Sequence, residues 1–110
     1  MEILGYNEYM VNDKQQVIKI LKENSRRLKA LGVEKMGVFG SFASGTQNKN
    51  SDIDLLVKFK KGQKNFRNFM GTANLTEDLL ERNVDLLTPE SLSPYIGPHI
   101  EKEVEYVQIA

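Results

Sequence analysis

Two apolar runs, residues 35–39 and 52–59, are joined by only the stretch from Gly40 to Ser51. The first half of that stretch, Gly40-Ser41-Phe42-Ala43-Ser44-Gly45, is small and bracketed by glycines, as in a tight turn with at most one helical turn. The second half, residues 46–51, is polar loop. No length remains for a crossover helix, so the two strands are expected to pair antiparallel. A third apolar run at residues 83–87 follows a long helical pattern. Three strands separated by helices predict an α/β (α+β) fold, a mixed β-sheet with flanking helices.

The helices are read from their spacing. Asn12 is the expected N-cap of the first, with Gln15 as its capping-box partner. Val17, Leu21, Leu28 and Leu31 fall on one side of it, and Gly32 suits the left-handed C′ position. Phe66, Phe69, Met70 and Ala73 mark the buried face of a second long helix, with Gly71 as a weak point in its middle. Pro94 and Pro98 bracket the start of a third, expected to run from Ile100 through Val107 to the end. The chain is thus one domain over residues 12–110, preceded by an arm at residues 1–11.

Charge and composition exclude several classes. With 15 basic and 15 acidic residues the net charge is zero, so direct nucleic-acid binding is not expected. The charge is uneven: residues 1–67 carry +6 (13 basic, 7 acidic) and residues 68–110 carry −6 (2 basic, 8 acidic). Lys58, Lys60, Lys61 and Lys64 are expected to form an exposed run, and His99, the single histidine, reads as a surface or partly packed residue and not a base. No cysteine is present, which removes disulfides, thiolate metal sites and a cysteine nucleophile, and favours a cytoplasmic location. No apolar run approaches the ~20 residues of a membrane span, and the start lacks the pattern of a signal peptide.

The chemistry is concentrated between Gly40 and Asp54. A strand has period two, so Asp52 and Asp54 face the same way, with Ile53 and Leu55 on the opposite face. Aspartate is disfavoured in strands, and two on one face repel each other. A divalent cation removes that cost. Oxygen-only ligands suit Mg²⁺ or Mn²⁺, and Mg²⁺ takes one or two carboxylates together with substrate phosphates. Gly40 allows close backbone approach to a ligand, and Ser41 adds a hydroxyl donor, the parts of a phosphate grip beside the metal. Asp85 lies in the third strand and adds a third carboxylate if that strand neighbours the second. Three carboxylates allow two metal ions, with Asp85 placed to receive a proton from an acceptor hydroxyl.

Gly40-Ser41, ten intervening residues, then Asp52-Ile53-Asp54-Leu55-Leu56-Val57 resembles the signature of the DNA polymerase β-type nucleotidyltransferase superfamily. From the first helix to Val84-Asp85-Leu86-Leu87-Thr88-Pro89-Glu90 and Leu92-Ser93-Pro94-Tyr95-Ile96, the chain is similar to the minimal nucleotidyltransferase branch, the MNT antitoxins. The resemblance covers residues 12–107 and implies the polymerase β-like fold, with ATP as substrate, Mg²⁺ as cofactor and transfer of AMP to a hydroxyl. It implies as acceptor a tyrosine of a partner HEPN ribonuclease toxin. It makes Asp52 and Asp54 the metal pair, Asp85 the third acidic position, and Gly40 and Ser41 the phosphate contacts. One departure is Ser44, where many relatives carry Arg. Its absence implies weaker triphosphate binding, or a lysine such as Lys49 or Lys58 in its place. Gly97 and His99 also depart from the pattern. Two other readings stand beside this one: an antitoxin that silences its partner by occlusion, and nucleotidyl transfer to a small molecule such as an antibiotic. A homo-oligomer is open.

Overall fold

A computed structural model describes residues 11–110. The expected N-terminal arm, apart from Val11, lies outside the described residues. Helix α1 (Lys14–Glu23) is capped by Asp13, whose side chain accepts the Gln16 N–H at 2.9 Å. The cap therefore lies one residue beyond the expected Asn12–Gln15 pair. The ionised carboxylate of Asp13 is the stronger acceptor at the positive end of a helix. Gln16 reaches back to the Asn12 N–H at 2.6 Å, so the reciprocal bonding survives with shifted partners. Asn24 interrupts the helix by donating its side-chain amide to the Ile20 carbonyl at 2.9 Å, and α2 (Ser25–Ala30) resumes it. Val17, Leu21 and Leu28 are completely buried. Gly32 ends the pair at φ +83°, the left-handed turn its position predicts.

Strands β1 (Val33–Phe39) and β2 (Ile53–Phe59) are antiparallel neighbours linked through the one-turn helix α3 (Ser41–Ser44). Helix α4 (Phe66–Leu80) then carries the chain across to β3 (Val84–Leu87), which pairs parallel with β2. The mixed sheet is as expected. After a 3₁₀ turn (Pro89–Ser91), helix α5 (Gly97–Glu103) stops at Val104, and β4 (Glu105–Gln108) pairs antiparallel with β1. The sheet order is β3-β2-β1-β4.

That fourth strand corrects the sequence reading, which ran the last helix through Val107. Val104, Tyr106 and the buried pair Val107 and Ile109 are β-branched or aromatic. Such residues gain more on a pleated surface than in a helix. Val104 already has extended backbone, and a bond from Lys14 to Glu105 at 2.9 Å ties the strand to α1.

The sheet separates two packed layers. Ile53, Leu55 and Val57 face a large core with Val17, Leu21, Leu28, Phe42 and Leu80. On the other face Phe39 and Leu56 meet Ile100 of α5, flanked by Leu87, Leu92, Val104 and Tyr106. Helix α4 is a second correction. Phe66 is 81% exposed and Met70 is 39% exposed, so neither is core. The buried side is Thr72, Thr76 and Leu80, with Phe69 and Ala73 of the expected face partly buried against the core. Phe66 stands in the first turn, beyond the end of that buried side. Thr72 and Thr76 can be buried because their hydroxyls bond the Asn68 and Thr72 carbonyls of their own helix at 2.8 and 2.9 Å. Such residues give no apolar signal.

Candidate active site

The register of β2 against β3 sets Asp54 opposite Asp85. Parallel pairing aligns like with like, so the second residue of each strand falls at the same level. Asp54 shares its sheet face with Leu56 and is half-buried there, whereas Asp85 is exposed. Asp52 lies just before β2 and is also exposed. On the far side of Asp54, its β1 partner is Phe39, which places Gly40 beside it.

Gly40 is required twice over. Its backbone has φ +71° and ψ −149°, a region that side chains make costly. A Cβ built there would also overlap Oδ2 of Asp54. The turn thus presses its backbone onto the carboxylate, which only glycine permits. The Gly40 carbonyl accepts the N–H groups of Ala43 and Ser44 at 3.1 and 3.0 Å, closing α3. The N–H groups of Ser41 and Phe42 are those that a first helical turn leaves without an internal acceptor.

Negative charge converges on Asp54. Its carboxyl is pushed from 3.8 up to about 6, first by burial, then by the charges of Asp85, Asp52 and Glu103. All four causes act in the same direction. The three acidic contributions are of the kind that a bound cation would relieve. Among the described residues, however, no group of three or more His, Cys, Asp or Glu side chains is gathered closely enough to enclose an ion. The donor set fits Mg²⁺ in its usual protein mode, one or two carboxylates with the remaining positions left to phosphate and water.

Two participants escaped the sequence reading. Glu103, the last residue of α5, accepts the Gly40 N–H through Oε1 at 3.0 Å. Nothing local marks a residue so distant in sequence. Arg82 follows α4, and its guanidinium donates to the carbonyls of Val11, Lys49 and Ser51 at 2.8, 3.0 and 2.9 Å. Its plane also lies 5.2 Å from the Phe42 ring centre. It therefore fastens the loop that delivers Asp52 to the small helix after Gly40. A signal was present: Arg82 is one of only two basic residues in the acidic half. A cavity of about 510 Å³, lined in part by Lys49, Asp52, Glu77 and Arg82, opens beside this loop.

The remaining predicted positions lie apart from the acidic edge or serve the turn. Ser44 is exposed, and its hydroxyl pairs with that of Thr46 at 2.9 Å. Lys58 is 4.0 Å from Glu34 and Lys64 is 3.8 Å from Glu90, so both belong to exposed ion pairs. His99 is exposed, as expected. Among the described residues no helix is long and apolar enough to cross a membrane.

Comparison with known proteins gives a consistent result. Residues 15–108 match the model of a nucleotidyltransferase domain. A Methanocaldococcus jannaschii protein assigned as a protein adenylyltransferase is 33% identical over 95 residues, covering 84% of this chain and 95% of its own. Protein adenylyltransferase MntA of Thermococcus cleftensis is 33% identical over 94 residues, covering 84% and 94%. A solved protein assigned as a minimal nucleotidyltransferase superposes with a TM-score of 0.64 at 26% identity, covering 80% of this chain and 93% of the other. A toxin–antitoxin crystal structure with AMP-PNP gives a TM-score of 0.60 at 25% identity, covering 87% and 71%.

Proposed function

The chain belongs to the nucleotidyltransferase domain family, and on that premise we propose that it transfers AMP from ATP to a hydroxyl of a partner protein, acting as the antitoxin of a toxin–antitoxin pair. The observation that carries the reading is the level pairing of Asp54 with Asp85, beside a glycine turn that can meet phosphate. The relative named MntA and the toxin–antitoxin neighbour holding AMP-PNP support both the nucleotide and the biological setting. The resemblance to MNT antitoxins names the acceptor: a tyrosine of a HEPN ribonuclease toxin.

In this reading Asp52 and Asp54 would hold Mg²⁺, with Asp85 nearby as a third carboxylate. When bound, the ion supplies Lewis-acid stabilisation of charge on the phosphate oxygens. Gly40 and Ser41 contact the triphosphate through N–H and hydroxyl donors. Asp85, exposed at the rim, accepts the proton of the incoming hydroxyl. The hydroxyl oxygen bonds to the α-phosphorus, the bond to the bridging oxygen breaks, and pyrophosphate leaves. Residues 12–110 form the unit that does this.

Intact-mass analysis tests the proposal. The purified chain, its partner toxin, ATP and Mg²⁺ are incubated together, and the toxin should gain mass in steps of one adenylate. Ser44, where relatives carry Arg, favours a second reading, in which the chain silences its partner by occlusion. Silencing without mass gain, or without ATP, selects that reading.

A further inference from the structure

The Gly40 N–H has one hydrogen to donate, and in this structure Glu103 takes it at 3.0 Å. A carboxylate oxygen and a phosphate oxygen ask the same of such a group: a charge-assisted bond from a backbone amide. Both cannot have it. Position 103 is also an uncomfortable one for an anion. It ends helix α5, where the helix dipole disfavours negative charge. Among the described residues no Lys or Arg pairs with it within 4.0 Å. Its charge also acts against Asp54. The side chain is exposed, so it can swing into solvent without disturbing a packed core. An anion bound by a single amide, repelled by its neighbours and free to leave, is a displaceable one.

We infer that Glu103 is an internal stand-in for nucleotide phosphate, holding the Gly40 N–H until a phosphate oxygen displaces it and thereby setting the affinity of the site. The inference rests on the proposed nucleotide reading and deepens it. Glu103 acts here as an affinity-determining residue through the amide that its Oε1 holds. Without it the turn would meet ATP with its amide already free.

The test is a calorimetric titration of the whole chain with ATP in the presence of Mg²⁺. The original chain is compared with Glu103→Gln, Glu103→Ala and the control Glu101→Gln. Glu101 lies on the same helix but accepts from Tyr106 instead, at 3.0 Å. Both Glu103 variants should bind ATP more tightly, by roughly three- to tenfold, the range for losing one competing charge at a screened site. Glu103→Gln keeps an acceptor for the amide, so it preserves the turn should Glu103→Ala disturb it. Glu101→Gln should stay within about twofold of the original, since a distant exposed charge is screened. Weaker binding by Glu103→Gln would make Glu103 part of the ion site, and unchanged binding would make it a bystander. Equal tightening by Glu101→Gln would assign the effect to the general field. Each of these overturns the inference while the nucleotide reading stands. An original chain that binds no ATP at millimolar concentration overturns both.

Discussion

Asp54 and Asp85 stand side by side across the parallel β2–β3 pair, and burial together with acidic neighbours raises the pKa of Asp54. Folding therefore assembles a repulsive edge. Its tolerance by the fold is the physical hint that a cation completes it. Replacing both Asp52 and Asp54 by Asn should abolish AMP transfer while the far-UV circular dichroism and cooperative melting are kept. Transfer retained by that double variant would sink the assignment of the pair.

Burial of Asp54, reinforced by the same crowding, sets a pH dependence in the ion-free protein. Asp54 is raised from 3.8 to about 6, so the folded state binds its proton more tightly than the unfolded chain does. Stability from this group is present below pH 3.8 and is lost as pH rises through 6. Asn carries no such penalty. In the presence of a chelator, Asp54→Asn should melt higher than the original chain at pH 7.5, by about 1 kcal/mol once solvent screening is allowed for. The difference should shrink toward zero at pH 4. A variant less stable at pH 7.5 would contradict the electrostatic account.

Gly40→Ala joins two costs in one methyl group. The backbone conformation at φ +71° disfavours any side chain, and the added carbon meets Asp54 Oδ2. A loss of about 1–3 kcal/mol is expected in urea denaturation. Asp54→Ala in the Gly40→Ala background should recover part of it by removing the atoms that collide. Independent, additive losses would show that the contact is not shared.

Arg82 converts four carbonyls of irregular backbone, those of Val11, Asn48, Lys49 and Ser51, into ligands of one cation. Arg82→Met fills similar volume but leaves those groups unbonded. It should destabilise the fold by about 2–4 kcal/mol and open residues 46–52 to limited proteolysis. Proteolysis at the rate of the original chain would show that the loop holds itself.

Much of this architecture is readable from local pattern. The short link between two apolar runs dictates antiparallel β1 and β2, and period two puts Ile53 and Leu55 in the core with Asp54 opposite. The failures have local causes too. Phe66 and Met70 read as core because apolar spacing draws the stripe too wide: Met70 is turned about 100° around the helix from Phe69, and Phe66 stands in the exposed first turn. The true stripe passes through Thr72 and Thr76, which satisfy their own hydroxyls. Residues 105–108 read as helix because they follow one without a glycine stop, although their alternation is that of a strand. Glu103 and Gly40 meet only through tertiary packing, which no spacing rule reports. The helix correction can be measured: Phe66→Ser should change stability by less than about 0.5 kcal/mol, whereas Leu80→Ala should cost about 2–5 kcal/mol.

The role proposed for Asp85 separates binding from chemistry. It is exposed at the level of Asp54, where an acceptor from outside can reach it. In the proposed reading it takes the acceptor proton and has no part in gripping the triphosphate, which is left to Gly40 and Ser41. Asp85→Asn should therefore bind ATP within a few-fold of the original chain yet slow AMP transfer by about 10²–10⁴-fold, the usual contribution of a positioned base. The two effects are read by calorimetry and by the initial rate of mass gain on the partner. If ATP affinity falls as steeply as the rate, Asp85 belongs with the ion ligands, and the acceptor proton must leave by another group.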